Sequence, residues 1–312
     1  MSNVFISMLL QLDKENLLSH YHTWGPSARA CIELERQTMD PFTRRTTVET
    51  GAAYFVANSV QVSRLALGLD FTDDVPHTIF AVTPKTLDES GRGVAMVHIA
   101  TTYLSRIVAR AFAAASADHQ ASFFFSMTSY PWLRSSAGWL FQKLALARLT
   151  SPTSEQLNAE MRNGRTFVIP ICEKVIPLSG ISGLGKADNY SLPFLWCPTS
   201  QTVTTVDYII CTSTHLILVQ CTLSSEHDVS EGYLETIYSS LPIKFRNGRQ
   251  WYCLFLTDSP TAAEKLRNAK FQCSKLGDKP IKVCSAVFRV ERAGMTAAQR
   301  ERLMNIMVRV MA

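Results

Sequence analysis

The stretch 207-DYIICTSTHLILVQCTLSSEH-227 decides how the second half of this chain is interpreted. It overlaps two runs rich in Val, Ile and Thr, residues 202–210 and 215–221, which are separated by a short polar turn. Runs of this composition bounded by turn residues are typical of paired β-strands. We therefore expect a hairpin that carries Asp207 on one strand and the Gln-x-Thr segment 220–222 at the end of the other.

The polar residues of this hairpin resemble the spacing of a metal-dependent nuclease site. Restriction-type nucleases hold Mg²⁺ between an Asp at one strand end and an oxygen ligand on the next strand, and a Lys two residues later orients the attacking water. Alternate residues of a strand share a face, so Gln220 and Thr222 lie together. The candidate Mg²⁺ ligands are Asp207 and Gln220, and with Thr222 and His227 they form the candidate catalytic set. Thr222 carries no charge where a Lys is needed, so His227 or Lys244 is expected to supply it, and a plain β-hairpin is the alternative.

A basic loop follows this region in the sequence. The segment 244-KFRNGRQWY-252 interleaves basic and aromatic residues immediately before an apolar run. Cations bind phosphates, and aromatic rings stack on bases. We expect Lys244, Arg246, Arg249 and Trp251 to form a nucleic-acid-binding loop, and an ordinary exposed loop is the alternative.

Composition and charge limit the classes of protein to which this chain can belong. The chain has 312 residues, 46% of them hydrophobic, which is sufficient to build a globular core. The formal net charge is +5, and residues 261–312 contain eleven Lys or Arg against four Asp or Glu. A basic segment of this kind favours phosphate-bearing partners.

Cysteine spacing and hydropathy indicate an intracellular protein. The eight cysteines are scattered without a CxxC pair, which is typical of free thiols in a reducing compartment. The longest apolar helical stretch, 93–116, is interrupted by His98, Arg106 and Arg110, so no membrane span is expected. We expect a nuclear or cytoplasmic location.

The predicted secondary structure changes near residue 150. Residues 1–150 are predicted to be mostly helical, with one long amphipathic helix over 93–115. Residues 151–312 alternate strand-like and helical runs and end in an amphipathic helix over 296–311. Strands that alternate with helices predict an α/β fold.

Four stretches, in their order along the chain, resemble a family of fungal proteins. They are 23-TWGPSARACIEL-34, 135-SSAGWLFQKLALARL-149, 188-DNYSLPFLWCPTSQTVTTVDYII-210 and 218-LVQCTLSSEHDV-229. Together they resemble the C-terminal part of the retrotransposon-hot-spot and Crinkler-type effectors.

The resemblance implies a domain plan. In that family a P-loop ATPase module precedes a domain similar to restriction endonucleases. Residues 1–150 would then be a helical remnant of the ATPase lid, and 151–312 a restriction-endonuclease-like α/β domain. Asp207 and Gln220 match the family's metal-site positions, and Thr222 departs from an active nuclease.

Three functions follow as hypotheses. The first is a catalytically degenerate nuclease-fold protein that binds nucleic acid. The second is a module that docks an unknown protein partner and has little affinity for nucleic acid. The third is an active Mg²⁺-dependent nuclease in which Asp207 is essential.

Overall fold

The computed structural model describes residues 12–66, 78–87, 93–130, 133–152, 154–178, 180–186, 190–198, 206–227, 229–269, 275–276 and 279–290, and the single residues 296, 298, 301 and 305. Two compact units divide the chain. One comprises residues 1–137 with 292–294, and the other comprises 138–291 with 295–312. Helices combine with a large mixed sheet, which confirms the predicted α/β class.

The first unit is mainly helical in its described part. Polar side chains cap five of its helices by accepting a backbone N–H of the first turn, and this satisfies donors that a helix start leaves unpaired. Its elements are α1 (Lys14–Trp24), α2 (Ala28–Glu35), α3 (Pro41–Ala57), α4 (Ser59–Ala66), β1 (Phe80–Leu87), β2 (Gly93–Ile99), α5 (Thr102–Ala114) and α6 (Ala117–Thr128).

The prediction of one helix over residues 93–115 is wrong for its first part. Residues 93–99 form β2, which pairs antiparallel with β1, and only the rest is helical. Thr101 marks the junction, because its hydroxyl caps α5 at Leu104 and donates to the carbonyl oxygen of Thr23 at 2.8 Å. The apolar spacing of residues 93–99 also fits a helix, and pairing with β1 is what makes this segment a strand.

The second unit contains the sheet. Its elements are α7 (Arg134–Thr150), which begins at the end of the first unit, β3 (Asn158–Met161), β4 (Thr166–Val168), β5 (Lys174–Leu178), β6 (Phe194–Pro198), β7 (Tyr208–Cys211), β8 (His215–Cys221), α8 (Glu231–Ser240), α9 (Ile243–Arg246), β9 (Gln250–Thr257), α10 (Pro260–Asn268), β10 (Lys275–Leu276) and β11 (Lys279–Val287). The strand order is β4-β3-β11-β9-β8-β7-β6-β5, and β10 pairs with β11.

Strands β8, β9 and β11 run parallel, whereas β7 lies antiparallel to β8. Every residue of β9 after Gln250 is buried, and so is every residue of β8 after His215. Parallel strands buried on both faces need helices on both faces. Leu234, Ile237 and Leu266, from α8 and α10, belong to the apolar cluster on one face.

The hairpin predicted around residues 207–221 is present as β7 and β8, and the helix predicted over 230–240 is present as α8. The helix predicted over 296–311 lies outside the described residues, apart from the four single positions.

Gly25 occupies a conformation that a side chain would disturb. Its φ is +86°, and a Cβ built on it would lie 2.8 Å from the Cβ of Ala100. We expect Gly25→Ala to lower the free energy of unfolding by about 2–5 kcal/mol, since left-handed backbone costs about 1–2 kcal/mol and overpacking about 1–3 kcal/mol. Denaturant unfolding followed by circular dichroism measures this loss.

Gly248→Ala is the matched control for Gly25→Ala. Gly248 also has a positive φ, +70°, but no atom would lie within 4 Å of an added Cβ. The control variant should lose only the backbone part, about 1–2 kcal/mol. Equal losses in the two variants would contradict the steric argument at Gly25.

Candidate functional site

The hairpin brings the four candidate catalytic residues to one end of the sheet. Asp207 directly precedes β7, and its N–H donates to the carbonyl oxygen of Val219 at 2.8 Å. Gln220 lies in β8, and Thr222 follows that strand and donates its N–H to the carbonyl oxygen of Leu256. Because β7 runs against β8, all of these positions lie at the carboxyl end of β8.

Asp207 joins this end of the sheet to helix α7. One carboxylate oxygen accepts the side-chain N–H of Gln142 at 2.8 Å, and the other accepts the backbone N–H of Cys221 at 2.6 Å. The hydroxyl of Tyr208 donates to the carbonyl oxygen of Gln142 at 2.8 Å. Both carboxylate oxygens therefore have donors within the chain.

The surroundings of Asp207 favour its neutral form. Burial raises the pKa of Asp207 from its ordinary value of 3.8 to about 7. The hydrogen bond from Cys221 and the positive charge of Lys143 act in the opposite direction and are outweighed. Desolvation is thus the dominant effect, as expected for a carboxyl group held between a sheet and a helix.

Gln220 faces the other side of the sheet. Val219 pairs with Tyr208, whose hydroxyl reaches α7, so strand alternation turns Gln220 toward the face of Leu216 and Leu218. Gln220 is 5% exposed, and its amide N–H makes a long 3.4 Å bond to the carbonyl oxygen of Cys221. Among the described residues, none donates a hydrogen bond to its side-chain oxygen. The side chains of Asp207 and Gln220 therefore make their contacts on opposite faces of the sheet.

The remaining members of the catalytic set are uncharged or contact apolar neighbours. Thr222 is buried, and its hydroxyl oxygen accepts the N–H of Ser224 at 3.0 Å. The ring of His227 packs edge-on against Phe255, with 6.2 Å between centroids. Thr222 is uncharged and therefore does not replace the missing Lys.

The candidate magnesium ligands do not fit the ion. Mg²⁺ requires closely placed oxygen ligands in nearly octahedral geometry, whereas Asp207 uses both oxygens internally and Gln220 turns to the opposite face. Among the described residues, no group of three or more His, Cys, Asp or Glu side chains could hold a metal ion.

The proposed binding loop lies at the opposite end of the strands. Gln250, which belongs to this loop, pairs with His215 at the start of β8, whereas Leu256 pairs with Cys221 at its end. Six register steps separate the two pairs, or about 20 Å at ~3.3 Å per residue. Lys244 therefore cannot supply the positive charge missing at Thr222.

The four loop residues have different roles in the structure. Lys244 is exposed, and its ammonium lies 5.1 Å from the centroid of the Phe245 ring. Arg249 donates to the carbonyl oxygens of Thr212 and Lys244, so it ties the loop to the β7–β8 turn.

Arg246 and Trp251 complete the loop. The guanidinium of Arg246 lies 5.3 Å from the centroid of the Tyr238 ring. Trp251 is 0% exposed and packs in the core, where its ring offers no surface to a base.

Two residues of this site were not predicted from the sequence. Gln142 and Lys143 lie on α7 and reach Asp207 across 65 and 64 positions of sequence. The amphipathic spacing of α7 predicted a helix but not its partner. The only available signal was the resemblance of the stretch 135–149, which contains both residues.

Comparisons with known proteins do not place this chain in a family: no family model, curated protein or solved structure matches it. In the described part of the chain, no helix has the length and apolar character needed to cross a membrane.

The perturbed carboxyl of Asp207 predicts a pH-dependent stability. The folded chain keeps this proton up to about pH 7, whereas the unfolded chain loses it near 3.8. The stabilisation is therefore complete below about pH 4 and is lost as pH rises through about 7. We expect the stability of Asp207→Asn relative to the wild type to increase from pH 4 to pH 8, as measured by denaturant unfolding.

The substitution preserves the contacts, because Asn can accept from Cys221 and donate to a rotated Gln142 amide. Glu235→Gln, at an exposed position of α8, is the matched control and should leave the pH dependence unchanged. Parallel pH curves for Asp207→Asn and the wild type would contradict the assignment.

Proposed function

We propose that this chain is a nuclease-fold protein that binds nucleic acid and does not cleave it by a metal-dependent mechanism. The observation that carries the binding part is a basic edge at the amino ends of the parallel strands. Lys244 and Arg249 precede β9, and Lys282 lies near the start of β11 with its side chain exposed. Residues 208–225, 244–257 and 279–290, which build this region, contain no Asp or Glu.

A surface of this kind suits a polyphosphate. Cations near a strand of phosphates release condensed counterions, and this release drives sequence-independent binding. Arg249 is held by two backbone carbonyl oxygens, which fixes the loop that presents Lys244. The acidic groups Asp207 and Glu226 lie toward the other end of β8, where they do not oppose the phosphates.

The relation to restriction endonucleases and to the Crinkler-type family is part of the proposal. It is supported by the position of Asp207 and the Gln-x-Thr segment at the adjoining ends of two antiparallel strands, as in the restriction-type pattern. Further support is that the resembling stretches 135–149 and 188–210 meet through the bond between Gln142 and Asp207. The loss of cleavage is supported by the occupied oxygens of Asp207.

Binding and its salt dependence test the first part. We expect the purified protein to bind a labelled oligonucleotide, with an affinity that falls steeply as salt rises. Lys244→Glu combined with Lys282→Glu should weaken binding at every sequence tested and reduce the salt slope by about one per lost phosphate contact. Fluorescence anisotropy at several salt concentrations measures both quantities.

Lys14→Glu, at an exposed position in the first unit, is the control for a change of net charge. It should leave the salt slope unchanged. An equal loss in the control and the double variant would show that the basic edge is not the binding surface. If the wild type does not bind at all, the protein-docking hypothesis is favoured, for which Phe42 is 75% exposed.

A nuclease assay tests the second part. The wild type and Asp207→Asn are incubated with single- and double-stranded DNA and RNA in the presence of Mg²⁺ or Mn²⁺. We expect no cleavage above the buffer control from either protein. Cleavage by the wild type that disappears in Asp207→Asn would overturn the proposal that the nuclease fold is catalytically degenerate, and would make the chain an enzyme.

A further inference from the structure

Three aromatic rings gather on one face of the sheet, beside the basic edge. Tyr252 of β9 lies next to His215 of β8, with 5.4 Å between ring centroids. Phe167 of β4 contacts both, at 4.6 Å from Tyr252 and 6.1 Å from His215, and its ring is within 15° of parallel to the His215 ring. We call these three residues the aromatic platform.

The aromatic platform is only partly buried. Phe167 and His215 are half-buried, and Val168, beside Phe167, is 48% exposed. Tyr252 lies beneath them and is 6% exposed. The two upper rings therefore retain surface that a flat ligand could cover.

A cation lies beside the aromatic platform. The ammonium of Lys282 lies 5.8 Å from the centroid of the Tyr252 ring, and the two residues pair between β11 and β9. Thr212 links the turn before β8 to the basic loop, because its carbonyl oxygen accepts from Arg249 and its hydroxyl accepts the N–H of His215 at 2.8 Å. The rings of His215 and Tyr252 and the ammonium of Lys282 therefore lie together near the amino ends of β8, β9 and β11.

We propose that the aromatic platform stacks an unpaired base, so that the ligand of this surface is a single-stranded nucleic acid. The inference rests on the proposed function and names the form of nucleic acid bound. A duplex keeps the faces of its bases covered by their neighbours, whereas a single strand can present a face to a ring. Lys282, on the same face as the rings, then holds a phosphate next to the stacked base.

A simple packing role is the competing explanation. Phe167 belongs to a three-residue strand, and its contacts with Tyr252 and His215 also hold that strand against the sheet. Phe167→Leu separates the two explanations, because Leu keeps apolar bulk but has no aromatic face. Phe125→Leu is the matched control, since Phe125 is 43% exposed in the first unit.

The experiment compares oligothymidine with a hairpin duplex of the same strand length at one salt concentration. We expect the wild type to bind oligothymidine more tightly. Phe167→Leu should weaken oligothymidine binding at least about fivefold, since stacking contributes roughly 1–3 kcal/mol per base. Its binding to the duplex and its salt slope should stay at the wild-type values.

The other outcomes separate this inference from the proposed function. Failure of the wild type to bind either ligand would overturn both. Binding that Phe167→Leu leaves unchanged, or weakens equally for both ligands, would overturn the stacking inference alone. Circular dichroism and thermal unfolding of Phe167→Leu check that the fold is intact. If it is lost, His215→Gln replaces Phe167→Leu, and an unchanged preference for oligothymidine in that variant likewise overturns the inference.

Discussion

The parallel pairing of β8 with β9 is the constraint on which the second unit depends. Seven consecutive residue pairs join the two strands, and nearly all of their side chains are buried. Such a pair exposes apolar side chains on both faces, so it is stable only when helices cover both. Helix α8 connects the two strands and covers one face, and α7 reaches the other through Tyr208.

The same pairing separates the charged groups of the candidate site. Asp207 lies at the carboxyl end of β8, whereas Lys244 and Arg249 precede the start of β9. In the sequence Asp207 and Lys244 look like parts of one centre because only 37 positions separate them. A strand seven residues long holds these groups about 20 Å apart, and this distance makes them two different surfaces.

Local pattern predicted the α/β class and the hairpin, because β-branched runs and a polar turn act within a few residues. The partners of Asp207 could not be predicted in this way, since Gln142 is 65 positions away and reaches it only in the folded chain. Trp251 was misjudged from its neighbours in the sequence. The basic residues before it suggested an exposed ring, whereas it lies in the apolar strand β9 and is buried. The run 93–99 became a strand because β1 was available to pair with it.

The uncharged residues at 220 and 222 and the raised pKa of Asp207 belong to one physical arrangement. Gln220, Thr222 and the neighbouring Thr257 are all buried at the carboxyl ends of their strands. A carboxylate and a Lys at positions 220 and 222 would place two charges in this packed region, at a cost that only a close ion pair would offset. With neutral residues there, and with Asp207 bonded to α7, this end of the sheet is closed by internal contacts. The opposite end, with its cations and half-buried rings, is the end at which we propose that nucleic acid binds.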